Sequence, residues 1–190
     1  MRYCKKLVEI QDVLELLWRD SEVEIPAMEG RDYHIVYSRP AGFFDVVMTE
    51  ESEPVGFITM KYEGEGVYSI VNETKKNPHP GFVNTPGHGI EVKEKFRKRG
   101  IGKALLSLGI GLVQRDWREH KKNEGRFTVV ASDVTDSGLG CYQNFGFIVK
   151  EGMAVTKCFY VDSERVPELG ILARRASFWK RLKKRLRMFS

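Results

Sequence analysis

The chain has 190 residues, 42% hydrophobic and 30% charged, with eleven Phe, seven Tyr and three Trp; this is the composition of one folded domain and excludes disorder throughout. No apolar run reaches the ~20 residues that cross a bilayer, and Met1-Arg2-Tyr3-Cys4-Lys5-Lys6 leads into mixed charge, so neither a membrane span nor a secretory leader is expected. The net charge of +5 does not argue for nucleic-acid binding by the body, because residues 168–190 hold eight Lys or Arg and one acid, Glu168, while residues 1–167 hold 23 bases and 25 acids.

Two units are therefore expected: a globular domain over 1–167 and a basic tail over 168–190. Residues 2–7 read as a short first strand. Val8 to Trp18 carries a broad apolar stripe and predicts a helix. Ser21 to Asp32 is acidic, contains Pro26 and Gly30, and reads as a loop or a short second helix. Residues 42–49 and 54–62 read as strands joined across Glu50 to Glu53 in a hairpin. Residues 72–89, rich in Pro, Gly and Asn, read as a long loop, and Gly89 to Val92 begins another strand.

Ile101 to Lys122 is the clearest helix, with Ile101, Leu105, Leu106, Ile110, Val113 and Trp117 on one face. Gly109 and Gly111 each cost a helix about 1 kcal/mol against Ala, a cost consistent with close packing on a sheet. Asn123-Glu124-Gly125 reads as its C-terminal cap. Phe127 to Ala131 reads as a buried strand and Asp136 as the cap of a short helix through Phe145. Residues 147–150 and 155–161 read as closing strands. The order implies an α/β fold of the α+β type: a mixed central sheet with helices on both faces. The three cysteines, at 4, 141 and 158, show no metal-ligand spacing and leave one thiol unpaired in any disulfide scheme, which favours a reducing, cytoplasmic setting. No metal site is expected.

The most informative segment is Val92-Lys93-Glu94-Lys95-Phe96-Arg97-Lys98-Arg99-Gly100-Ile101-Gly102-Lys103-Ala104. A strand ends, a basic glycine turn follows, and a long helix begins. A helix start carries unpaired N–H groups and partial positive charge, and glycine lets a ligand approach the main chain. Arg97, Lys98, Arg99 and Lys103 add charge around Gly100, Ile101 and Gly102, so the segment suits a phosphate or pyrophosphate. A Walker loop is excluded because Arg97 stands where its first Gly belongs. A dinucleotide fingerprint is excluded because Leu105 stands where a third small residue belongs.

At these residues the chain resembles the GNAT superfamily of N-acetyltransferases, whose Arg/Gln-x-x-Gly-x-Gly/Ala turn is matched by Arg97-x-x-Gly100-x-Gly102. The resemblance covers about residues 2–160 and implies the GNAT fold, a mostly antiparallel sheet flanked by helices, with acetyl-CoA as cofactor. Its pyrophosphate would lie on the 97–103 turn, and the main chain of Ile90 to Val92 would hold the pantetheine arm. Glu94 departs mildly from the Pro common there. A second motif, Tyr142-Gln143-Asn144-Phe145-Gly146-Phe147, resembles the family's Tyr-x-x-x-Gly-Phe ending. It implies that Tyr142 lies at the thioester sulfur and protonates the departing thiolate; a core aromatic is the alternative. The family's Asn and Ala before that Tyr are here Thr135 and Gly138, so a cofactor contact from the Thr135 side chain is not implied.

Acyl transfer to an amine needs a neutral nucleophile. At pH 7 a Lys-like amine costs roughly 4–5 kcal/mol to deprotonate and an α-amine only about 1 kcal/mol. The base candidates are His88 and Glu91, alongside the alternatives of a loop-edge His and a solvated or ion-paired carboxylate. Alternation puts His88, Ile90 and Val92 on one face and Glu91 on the other, so only one of the two can face the substrate. His34, His79 and His120 have no supporting context, and Cys141 reads as buried. Glu22, Glu24 and Glu29 could attract a cationic acceptor, but read more simply as solvated acids. The acceptor amine carries no motif.

In the 174–189 tail, residues 176–189 are amphipathic if helical, with Trp179, Leu182, Leu186 and Phe189 on one face and basic residues on most of the rest. Such a helix can lie on an anionic membrane, bind nucleic acid, dock on the body or pair two subunits in a homodimer. Two alternatives to an acetyltransferase stay open: a non-catalytic acyl-CoA-binding module, and a family member using a longer acyl donor.

Overall fold

The computed structural model describes residues 10–26, 32–40, 42–73, 79–120, 127–132, 134–149 and 159–162. The expected strand at 2–7, the cap at 123–125 and the whole tail lie outside these residues.

Helix α1 (Ile10–Asp20) buries Val13, Leu14 and Leu17, and Ser21, at φ 62°, turns the chain directly into β1 (Glu22–Pro26). Of the loop or short helix expected over 21–32, residues 22–26 are thus a strand instead. Val23 and Ile25 alternate inward, and acidic residues and a proline are tolerated because β1 is an edge strand. Strand β2 (Asp32–Ser38), which the sequence reading passed over, pairs with β1 and buries Ile35 and Tyr37. The hairpin is present as β3 (Phe43–Glu50) and β4 (Glu53–Gly64), and Glu51 and Ser52 both take positive φ at its turn.

Strand β4 is twelve residues long and serves two partners along one edge. Met60 to Gly64 pairs with β5 (Val67–Ile70), and Gly56 to Ile58 pairs with β6 (Ile90–Val92). Both run antiparallel to β4, so β5 and β6 lie on one line, interrupted by residues 71–89. Thr59 holds both sides of the break: its N–H donates to Gly89 O at 2.7 Å and its carbonyl accepts from Val71 N at 3.2 Å.

After α2 (Ile101–His120) comes β7 (Thr128–Ala131), parallel to β5. Then follow α3 (Asp136–Asn144), β8 (Ile148–Val149) and β9 (Phe159–Asp162). The sheet order is β1-β2-β3-β4-β5-β7-β9-β8 with β6 beside β4, and every pairing except β5–β7 is antiparallel. This is the expected mixed, mostly antiparallel sheet.

Helices α1 and α2 pack together on one face. A Cβ on Gly109 would come 2.8 Å from Met60 Sδ, and one on Gly111 would come 2.5 Å from Leu14 Cδ1. Close approach therefore explains both glycines, but only Gly109 serves the sheet; Gly111 serves α1. On the opposite face Asp45, Phe57 and Thr59 are covered by residues 79–84, where His79 stacks on Phe57 at 4.0 Å and Phe82 meets it edge-on at 4.9 Å. Among the described residues no helix is long and apolar enough to cross a membrane.

Candidate functional site

Between β6 and α2 the chain makes a tight basic turn. Phe96 is buried and anchors it, while Lys98 (φ 62°) and Gly100 (φ 85°) reverse the main chain twice. Arg97 Nε donates to Val92 O at 3.1 Å, tying the turn back to the end of β6. Gly100 O accepts from Ala104 N at 3.1 Å, which leaves the N–H groups of Ile101, Gly102 and Lys103 without a partner inside the helix. No acid occupies the first turn of α2. Arg99 sits over the Phe96 ring at 5.1 Å and 3.8 Å from the buried Glu50 carboxylate. Of the four predicted cations, Arg97 and Arg99 thus shape the turn, while Lys98 and Lys103 flank it.

Beside this turn lies a free strand edge. Gly89 and Lys93 bond to Thr59 and Val55 of β4. Antiparallel alternation then turns the main-chain N–H and C=O groups of Ile90 and Val92 away from β4. They face the side on which β7 pairs with β5, and among the described residues no strand pairs with β6 there. Among the described residues the sheet splays at this point and leaves a short polar edge next to the turn, with only the Val92 carbonyl taken, by Arg97 Nε.

Helix α3 closes the group. Its cap is Thr135, whose hydroxyl accepts from Gly138 N at 3.2 Å, one residue before the expected Asp136. A Cβ built on Gly102 would lie 3.8 Å from Val92 Cγ2 and 3.9 Å from Cys141 Sγ, so β6, α2 and α3 converge at the glycine turn. Next to Cys141, Tyr142 is 4% exposed and meets Phe147 edge-on at 5.1 Å. Burial, with a smaller contribution from Cys141, pushes its hydroxyl pKa well up, so the phenol keeps its proton. Burial also raises the Cys141 thiol, against the pull of Lys103.

His88 stands at the break between β5 and β6. Its N–H donates to Thr85 O at 3.1 Å, and on one side Gly87 N donates to Asn72 O at 3.2 Å. On the other side a Cβ at Gly89 would overlap the main chain of Ile70 and Val71. The His88 side chain is half-buried. Glu91 points away from Ile90 and Val92, as alternation predicts. Its two carboxylate oxygens accept from Val83 N (3.2 Å) and Asn84 N (3.3 Å).

His79, which has no supporting context in the sequence, is held by the fold. Its ring is 5% exposed, with Nε2 2.8 Å from Thr59 Oγ1 and 3.7 Å from Asp45 Oδ1. Burial lowers its pKa, while Asp45 and Glu91 pull the other way, so the neutral ring is favoured. Two polar residues flanked by apolar ones, Asp45 and Thr59, were the available signal: the hairpin register sets them opposite each other.

Comparison with known proteins bears on the family and the fold. The family model "Acetyltransferase (GNAT) family" matches residues 10–147. Among solved structures, the GNAT domain of S. lividans PAT aligns with a TM-score of 0.50 at 10% identity, covering 76% of this chain and 98% of that one, a likeness of fold. A Bacillus subtilis acetyltransferase in complex with CoA aligns with a TM-score of 0.41 at 15% identity, covering 65% and 77%. A GNAT family acetyltransferase from Elizabethkingia anophelis with acetyl-CoA bound aligns with a TM-score of 0.38 at 15% identity, also covering 65% and 77%. No curated protein sequence matches the chain. With more than half of its length matched by the family model and its sheet, glycine turn and second motif in place, the chain belongs to the GNAT acetyltransferase family.

Proposed function

We propose that the protein transfers an acetyl group from acetyl-CoA to a primary amine by direct attack within a ternary complex. The observation that carries this reading is the convergence of the 97–103 turn, the free edge at Ile90 and Val92, and α3 with Tyr142 at one splay of the sheet. Free N–H groups at Ile101 to Lys103, with Lys98 and Lys103, would hold the pyrophosphate. Main-chain groups of Ile90 and Val92 would hold the pantetheine arm, and an N–H near Val92 would stabilise the oxyanion.

In the reaction the amine nitrogen attacks the thioester carbonyl carbon and a tetrahedral oxyanion forms. The C–S bond then breaks, and the thiolate takes a proton from Tyr142, whose buried phenol is protonated at neutral pH. The proton lost by the amine goes to His88. We assign the base to His88 because it stands at the apex of the splay, while Glu91's carboxylate is occupied by two loop amides on the other face. No covalent enzyme intermediate is needed. An odd cysteine count without metal-ligand spacing supports a cytoplasmic setting.

The test is a free-thiol release screen with acetyl-CoA over a panel of small amines, peptide N-termini and lysyl peptides. Turnover with at least one amine supports the reading. CoA binding without thiol release from any amine identifies a binding module instead, and preference for longer acyl-CoAs identifies a different donor. If coenzyme A fails to perturb amide resonances at residues 97–103, the reading falls.

A further inference from the structure

We propose that Asn84 is a positioning residue: its side chain fixes the segment that carries His88, and so governs the rate of acyl transfer without touching a reactant. The inference rests on the function proposed above. Asn84 takes φ 55°, a left-handed conformation that Asn adopts more readily than most residues. From there its carboxamide is used at both ends. Oδ1 accepts from His79 N at 2.7 Å and from Asn72 Nδ2 at 3.4 Å, while Nδ2 donates to His79 O at 2.6 Å and Phe82 O at 3.0 Å. Its own N–H donates to Glu91 Oε2 at 3.3 Å.

One residue thereby joins three parts of the molecule. Asn72 lies just beyond the end of β5, His79 and Phe82 cover the sheet, and Glu91 lies in β6. The covering segment is wedged in place by the His79 ring, which stacks on Phe57 and meets Thr59 Oγ1. Asn72, the residue that Asn84 reaches, also accepts from Gly87 N, the neighbour of His88. His88 thus depends for its place on a network whose centre is Asn84. The carboxamide has no simple substitute: a carboxylate can accept from His79 N, but it cannot donate to the His79 and Phe82 carbonyls, and it would add charge beside Glu91.

The test uses the full chain. Asn84→Gly keeps the left-handed backbone without strain and removes only the side chain. Its coenzyme A dissociation constant is expected to stay within about twofold of wild type while kcat falls by about tenfold or more, as misplacement of a catalytic group predicts. In a His88→Ala background the same change is expected to alter kcat by less than about twofold, because the group it positions is gone. Asn84→Asp is expected to lower kcat at least as far. An unchanged kcat in Asn84→Gly, an equal loss in the His88→Ala background, or a parallel loss of coenzyme A affinity each overturns the proposal. If wild type releases no thiol with any amine, the acetyltransferase reading fails on its own. The role of Asn84 is then read from the His88 ring resonances at fixed pH: displaced chemical shifts in Asn84→Gly support it, and unmoved ones overturn it.

Discussion

Gly89 and Val71 meet main chain to main chain. A Cβ on Gly89 would overlap the Val71 nitrogen and the Ile70 carbonyl carbon. This contact lets the chain leave the sheet after β5 and return on the same line as β6, with Thr59 bonded to both sides. The free edge at Ile90 and Val92 follows from it, because β7 ends its pairing where the break begins. Gly89→Ala is expected to destabilise the fold by about 1–3 kcal/mol, the usual cost of overpacking, and to shift β6. Denaturant melts read the loss of stability and thiol release the effect of the shift; a variant with wild-type stability and rate would show that the junction yields freely.

Arg97 and Lys103 belong to the same turn but should fail differently. Arg97 makes a directed bond from Nε to the Val92 carbonyl, so removing it loosens the turn as well as its charge. Arg97→Ala is expected to weaken coenzyme A binding by about tenfold, with little recovery in Arg97→Lys, because an ammonium does not reproduce the guanidinium geometry. Lys103→Ala is expected to act through charge alone, and its deficit should shrink as salt rises. Calorimetric titration at two ionic strengths separates the two.

What could be read before the fold was known was local. The β3–β4 hairpin announced itself by two apolar runs around a polar turn, α2 by its stripe, and the 97–103 turn by a glycine pair at a helix start. Strand β1 was hidden because its acids and Pro26 look like loop residues unless its place at the sheet edge is known. Strand β5 has only four residues, too few to show a period. That β5 and β6 form one interrupted line depends on both pairing with the long β4, a relation that no neighbouring residues encode. His79 escaped for the same reason: Thr59 and Asp45 reach it only through folding.

Tyr142 should be costly to chemistry and cheap to the fold. Its ring packs on Phe147, and Phe at position 142 keeps that contact. Tyr142→Phe is expected to lower kcat by about a hundredfold, the range for a lost general acid, with coenzyme A affinity and melting temperature near wild type. Because burial raises the phenol, no fall in rate on the alkaline side should trace to it below pH ~10. A Phe variant with full rate at every pH removes the acid role.

The far end of the sheet holds a structural pair unrelated to the reaction. Asp116 of α2 is 1% exposed; it accepts from Tyr68 Oη at 2.8 Å and pairs with Arg39 Nη2 at 2.5 Å. Burial lifts the nearby Tyr37 hydroxyl to about 12. Arg39→Met leaves the carboxylate buried without its cation, and about 2–3 kcal/mol of stability should be lost; Arg39 is itself partly exposed, which keeps the loss below that of a fully buried pair. Coenzyme A binding should be unchanged. Pairing Arg39→Met with Asp116→Asn should restore much of the loss, and urea melts of the two variants check this.

His79 gives the fold a defined response to acid. Burial lowers its pKa below the usual 6.5, and Asp45 and Glu91 offset this only in part. As pH falls through about 6.5 the unfolded chain takes up a proton at this ring before the folded chain does. Stability must therefore decline with falling pH from about 6.5 until the folded ring also protonates, and then level off. The direction is the reverse of that for a histidine held charged by a partner. In His79→Gln the neutral amide can still reach Thr59 Oγ1 but has no proton to gain. Its melting temperature is expected to change less than that of wild type between pH ~7.5 and ~5.5, above the main carboxylate range. Parallel curves for the two proteins over that interval would mean that His79 titrates in the folded chain as it does in water.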